Sequence, residues 1–140
     1  MTQAYINGIL TPMAEATQKK ILVVDDELDI LEGLSSVLRR ANYEVRATTK
    51  GSEVLELAKG FGPDLIILDI YLPDMEGSEV ASLLSQQPAT ANIPIVFLTG
   101  AVITKTEEPS SKRIGRNYLL AKPTTSAELL DMVKKALLPG

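Results

Sequence analysis

From Lys20 onward, two hydrophobic rhythms take turns along the chain. Ile21-Leu-Val-Val24 is an unbroken apolar run, as expected of a strand buried on both faces. Residues 27–40 then place Leu31, Leu34 and Leu38 on one helical face, with Ile30 and Val37 beside them. Tyr43, Val45 and Ala47 alternate with Glu44, Arg46 and Thr48, which predicts a half-exposed strand near a sheet edge. A short helix over 52–59 turns Val54, Leu57 and Ala58 inward, and Gly60, Gly62 and Pro63 are expected to break it. Leu65–Leu68 repeats the buried-strand pattern. A helix near 77–86 carries Val80, Leu83 and Leu84 inward and stops at Gln87-Pro88. Ile95-Val-Phe-Leu98 is a further buried run, and Asn117–Ala121 reads as the fifth strand. Between those two, residues 100–116 have no clear period, because Pro109 and the pair Ser110-Ser111 interrupt any helix. The last helix opens with Thr125 followed by Glu128 at capping-box spacing, and its apolar face is Leu129, Leu130, Val133 and Leu137.

Strict alternation of buried strands with amphipathic helices predicts an α/β fold, a parallel sheet with helices on both faces. Residues 1–18 do not share the rhythm and are expected to be a flexible leader or an added arm, with Pro12 opening a short helix through Ala14, Glu15 and Ala16. Residues 19–138 form the domain.

Composition narrows the chemistry. The chain has no Cys and no His. Disulfides, thiolate metal sites and thiol catalysis are therefore excluded, and so are Ser-His-Asp chemistry and imidazole ligation. Carboxylates, hydroxyls and Lys must do the work. Formal net charge is -4, which argues against direct nucleic acid binding by this domain. The apolar runs fall far short of the ~20 residues that span a bilayer. No basic start or long apolar stretch marks a secretory signal, so a cytoplasmic location is expected.

Polar residues gather where the strands end. Asp25 and Asp26 follow the first strand, Asp69 the third, Thr99 the fourth and Lys122 the fifth. In an open α/β sheet the carboxyl edge of the strands is where ligands bind. Three carboxylates held close repel one another, and a hard divalent cation such as Mg²⁺ relieves that. With Lys122 added, the crevice is arranged to neutralise incoming negative charge. One carboxylate then has the setting of a nucleophile toward phosphorus, with metal and Lys122 stabilising the phosphoryl oxygens and Thr99 offering a hydroxyl. Each residue also has a plainer reading. Asp25-Asp26 suits a helix start, Thr99-Gly100 a turn, and Lys122-Pro123 a solvated loop. All of them meeting on one sheet edge by accident is what those plainer readings require.

Four stretches carry a family resemblance: Ile21-Leu-Val-Val-Asp-Asp26, Leu68-Asp-Ile-Tyr-Leu-Pro-Asp-Met-Glu-Gly77, Phe97-Leu-Thr-Gly100 and Leu120-Ala-Lys-Pro123. In this order and spacing, the chain resembles the receiver domain of two-component response regulators over roughly residues 19–138. The resemblance implies a flavodoxin-like (βα)5 three-layer sandwich with sheet order 2-1-3-4-5. It implies phosphorylation of Asp69, with Mg²⁺ (or Mn²⁺) held by Asp26, Asp69 and the Tyr71 carbonyl while Asp25 completes the acidic pocket. Thr99 becomes the switch hydroxyl, Lys122 the phosphate contact, and the Lys122–Pro123 peptide is expected to be cis. The implied donor is a histidine kinase or histidine phosphotransfer protein. The implied output is altered binding to an unknown downstream protein or a phosphorylation-dependent homodimer, without turnover of an external substrate and without a membrane.

The chain departs from the family at three places. Leu119 stands three residues before Lys122, where the family has an aromatic, and Tyr118 lies one residue earlier. The stretch from Thr99 to Lys122 is one residue longer than usual, and Thr124 replaces the aromatic after Lys-Pro. Lys112, Arg113 and Arg116 are expected as a solvated cluster near the fourth helix. Rival readings fit less well. An aspartyl-phosphate hydrolase or mutase needs an acid two residues after its nucleophile, where Tyr71 stands. A flavodoxin-like cofactor binder needs a Ser/Thr/Gly-rich loop after the first strand, where Asp-Asp-Glu stands. A degenerate receiver used only as an interaction or dimerisation module is the remaining alternative, and the full set of Asp25, Asp26, Asp69, Thr99 and Lys122 speaks against it.

Overall fold

The computed structural model describes residues 18–100, 117–122 and 124–138, together with three short strands at 3–6, 9–12 and 111–114. Gln3–Ile6 (β1) and Ile9–Pro12 (β2) form an antiparallel hairpin with Gln3 opposite Pro12. Pro12 therefore ends a strand instead of opening a helix. Residues 13–17, where that helix would run, lie outside the described residues.

The domain proper runs β3 (Lys20–Val24), α1 (Leu28–Arg40), β4 (Glu44–Thr48), a 3₁₀ turn at Gly51–Glu53, α2 (Val54–Phe61), β5 (Leu65–Asp69), α3 (Gly77–Ser85), β6 (Ile95–Thr99), β7 (Ser111–Ile114), β8 (Asn117–Ala121) and α4 (Ser126–Leu137). Its sheet order is β4-β3-β5-β6-β8-β7. The first five of these are parallel neighbours, which is the expected order 2-1-3-4-5. Strand β7 adds an antiparallel sixth strand beside β8, with Lys112 opposite Leu119 and Arg113 opposite Tyr118. Lys112 and Arg113 thus lie on a strand. Arg116 and residues 101–110 are outside the described residues.

Alternation along the central strands splits the core into two layers. Ile21, Val23, Leu65, Ile67, Val96, Leu98 and Leu120 pack against α1 and α4. Leu22, Val24, Ile66, Leu68 and Ile95 face the other way, against α2 and α3. Such two-sided burial explains why these strands read as continuous apolar runs.

Three local expectations need correcting. Strand β4 buries Val45 and Thr48 but exposes Ala47. Thr48 has left the strict alternation because its hydroxyl donates to Glu53 and accepts the Lys50 N–H, closing the turn into α2. Helix α2 continues through Gly60 and ends only at Gly62, whose φ of +64° is the left-handed cap that Gly adopts without strain. In α3, Val80 and Leu84 are buried, whereas Leu83 points largely outward. The start of α4 follows expectation. The Glu128 N–H donates to Thr125 Oγ1 and the Thr125 N–H to Glu128 Oε1, both at 3.0 Å. Among the described residues, no helix is long and apolar enough to cross a membrane.

Candidate functional site

Parallel strands deliver the polar residues to one rim. Asp25 follows β3, fully buried, and its Oδ1 accepts the Glu27 N–H at 2.9 Å. This is an Asx-type bond two residues along the chain, so part of the plain turn-forming reading of Asp25 holds. The N-cap of α1 is Glu27 and not an Asp. Asp69 ends β5 at 4% exposure. Its Oδ1 accepts the Tyr71 N–H at 3.0 Å and its Oδ2 accepts from Lys122 Nζ at 3.1 Å. Asp26 is exposed at the mouth. Asp25, Asp26 and Asp69 each offer one carboxylate oxygen, and the three oxygens lie within 4.8 Å of one another.

Lys122 is the hub. The backbone places it, since its N–H donates to the Thr99 carbonyl at 2.8 Å and so ties the end of β8 to the end of β6. The ammonium lies 2.9 Å from Asp25 Oδ2, 3.1 Å from Asp69 Oδ2 and 3.5 Å from Glu27 Oε1. The Asp25 contact is an ion pair through Oδ2, the oxygen left over from the Glu27 N–H bond. Burial pushes the Asp69 carboxyl above its ordinary 3.8, and the charge of Asp25 adds to that. The Tyr71 N–H and Lys122 pull the other way without cancelling it. For Lys122, burial disfavours the charged form, but its hydrogen bonds to Asp25 and Asp69 outweigh that and raise it above 10.5.

These donors suit a hard divalent cation. All are oxygens, and three carboxylates converge. Hard oxygen donors of this kind favour Mg²⁺ or Mn²⁺ over a softer metal.

The loop after β5 is built tightly against the end of that strand. The Gly77 N–H donates to the Ile70 carbonyl at 2.6 Å. A Cβ on Gly77 would stand 2.7 Å from the Asp69 carbonyl oxygen and 2.9 Å from Ile70 Cα, so only glycine lets α3 start here. Asp74 accepts the Gly51 and Ser52 N–H groups at 3.0 and 2.9 Å, and the Ser52 and Gly51 donors hold its carboxyl below the ordinary value. That joins the loop to the turn before α2. Asp74 and Gly77 enter the sequence argument only as letters of a motif, although the turn signature Pro73-Asp74 followed by Gly77 marks them. Glu27 is a further addition, a third carboxylate on Lys122.

The structure thus gathers Asp25, Asp26, Asp69 and Lys122 at one rim, attaches Thr99 through its backbone, and brings Tyr71 in through its N–H. Thr99 is buried at the end of β6. Tyr118 does not replace the missing aromatic. It packs on the layer under α1 and α4, and its hydroxyl donates to the Lys135 carbonyl at 3.4 Å. Strand alternation turns the neighbouring Leu119 to the opposite face. Thr124 is bonded locally to Thr125 and Glu128. Pro123, with the expected cis peptide, lies outside the described residues.

Comparison with known proteins agrees with this geometry. The family model described as "Response regulator receiver domain" matches residues 21–134. The chain is 38% identical over 119 residues to the alkaline phosphatase synthesis transcriptional regulatory protein PhoP of Bacillus subtilis, covering 85% of this chain and 48% of that protein. It therefore spans about half the length of that relative. It is 29% identical to the polar-differentiation response regulator DivK of Brucella ovis, covering 85% of this chain and 96% of that protein. The chemotaxis response regulator CheY4 of Vibrio cholerae superposes with a TM-score of 0.73 at 28% identity, over 86% of this chain and all of that one. The chain belongs to the response regulator receiver family, whose domains act as signalling switches.

Proposed function

With receiver-family membership as the premise, we propose that this domain takes a phosphoryl group onto Asp69 from a phosphohistidine on a histidine kinase or phosphotransfer protein, and that the product changes its binding to a partner protein or to a second copy. The observation that carries the reading is the ammonium of Lys122 set between Asp69 and Asp25 at the mouth of a three-carboxylate cluster.

The roles follow from the contacts. Asp69 Oδ1 is fixed by the Tyr71 N–H, which leaves Oδ2, on the Lys122 side, as the nucleophilic oxygen. Lys122 shields that oxygen at rest, then turns to the oxygens of the arriving phosphoryl group. Thr99, at the end of the neighbouring strand, is placed to offer its hydroxyl to the product. Asp25, Asp26 and Asp69, with the Tyr71 carbonyl, are the proposed ligands of Mg²⁺. When bound, that ion neutralises the carboxylates and the charge developing on the phosphoryl oxygens. Leu119 cannot report the switch as an aromatic would, and Tyr118 is bonded away on the far face, so the output runs through the loops that bear Thr99 and Lys122. Cytoplasmic signalling, without turnover of an external substrate, completes the proposal, and residues 1–18 are an accessory arm to it.

The test is incubation with a small phosphodonor and Mg²⁺, followed by intact mass. The wild type gains one phosphoryl group, and Asp69→Asn and the metal-free wild type gain none. A wild type that never takes the group is a degenerate receiver, and the proposal fails.

A further inference from the structure

Glu27 occupies the N-cap of α1, where Ser, Thr, Asp or Asn would hydrogen-bond the first helical turn. Its carbonyl accepts the first intrahelical bond, from the Leu31 N–H at 2.9 Å, but its side chain makes no capping bond. The carboxylate instead reaches Lys122, 95 residues away, at 3.5 Å and from the solvent side, with the Glu27 side chain 62% exposed. The ammonium has three hydrogens and faces three carboxylates: Asp25, Asp69 and Glu27. Two belong to the metal-fitting cluster. Glu27 does not, so its charge at the mouth is not relieved with theirs.

We infer that Glu27 is a positioning residue that restrains Lys122 from the solvent side and biases the site toward phosphodonors of low negative charge. The inference rests on the phosphoacceptor reading of Asp69 and deepens it. In the transfer step an Asp69 carboxylate oxygen bonds to phosphorus as the donor's bond to phosphorus breaks. With acetyl phosphate the P–O bond breaks and the electron pair leaves on acetate. With phosphoramidate the P–N bond breaks and ammonia leaves, its nitrogen already protonated. At neutral pH the first donor arrives as a dianion and the second as a monoanion. Glu27 repels the first more, and it competes with phosphoryl oxygens for the hydrogens of Lys122. A phosphoryl group on a protonated nitrogen, the chemistry of phosphohistidine, meets the least resistance.

The test measures phosphorylation rates of wild type, Glu27→Gln and Glu27→Ser with both donors and Mg²⁺, at low and high salt. Glu27→Ser supplies the capping hydroxyl and raises Tm, so a change shared with Glu27→Gln is not a folding effect. Expected is a rise of about two- to fivefold with acetyl phosphate in both variants, the range of an exposed ion pair. The phosphoramidate rate should move less, and the gain should vanish near 1 M salt, where screening acts within ~3 Å. An unchanged ratio between the two donors in both variants overturns the inference and leaves Asp69 as acceptor. So does a rise that persists in high salt. A wild type that reacts with neither donor removes the premise, and the inference with it.

Discussion

The two rims of the parallel sheet use similar residue types in opposite ways. Near the amino ends of the strands, charged groups are satisfied one by one. The Lys20 N–H donates to Asp64 Oδ2 at 2.8 Å and its Nζ to the Phe61 carbonyl at 3.3 Å. Lys20 and Arg46 also stack on the Phe61 ring, 5.5 and 4.9 Å from its centroid. At the carboxyl rim one ammonium is shared among three carboxylates. The first rim closes the fold. The second keeps a deficit of positive charge at a cost in stability, the kind of trade that marks a site awaiting a ligand.

If that contrast is right, substitutions at the two rims move different observables. The largest joint loss, of rate and stability together, belongs to Lys122→Ala. Phosphorylation should slow by about 100-fold, as when one preorganised charge-stabilising group is lost. Loss of the buried pairing should also cost ~1–3 kcal/mol in urea unfolding at pH 7. A near-normal rate would mean that the ammonium serves structure alone.

Next is Gly77→Ala, whose new methyl meets the backbone of Asp69 and Ile70. Overpacking against backbone should cost ~1–3 kcal/mol and slow phosphorylation with it, because the carboxylate sits on the displaced segment. Unchanged stability and rate would show that the loop moves aside freely.

Asp69→Asn should do the opposite and stabilise the resting domain while abolishing phosphorylation. The carboxyl is raised in the fold above 3.8, so as pH rises the unfolded chain sheds its proton first and the fold loses stability across that window. The Tm advantage of Asp69→Asn should therefore be small below that value and grow as pH rises through the folded one. Mg²⁺ should raise the Tm of the wild type and do so far less for the variant. A variant advantage already complete at low pH would contradict the assignment of cause.

The smallest effect is Arg46→Ala, midway along β4 with its guanidinium over Phe61 near the other rim. Losing an exposed cation over Phe61 should cost ~0.5 kcal/mol and leave phosphorylation untouched. A fall in phosphorylation rate there would blur the separation between the rims.

Much of this was legible in sequence because the central strands are buried on both faces. Ile21–Val24, Leu65–Leu68 and Ile95–Leu98 read as such strands, and their ends then place Asp25, Asp69 and Thr99 on one edge. What was not legible depends on partners distant in the chain. Strand β7 reads Ser-Lys-Arg-Ile, without a strand pattern, and exists through its pairing with β8. Gly60 suggests a break, yet the helix continues to Gly62, where the left-handed turn demands glycine. The β1–β2 hairpin has a sequence cue of its own in Asn7-Gly8, a better guide than Pro12. Glu27 looks like one more acid at a helix start, and only the fold shows its carboxylate on Lys122.

The central claim is that Asp69, and no other carboxylate of the rim, carries the phosphoryl group. Borohydride reduces an acyl phosphate to an alcohol, so phosphorylated protein treated in this way and digested should contain homoserine in place of aspartate at position 69. Homoserine at position 25, 26 or 74, or at no position in protein whose intact mass shows the adduct, would contradict it.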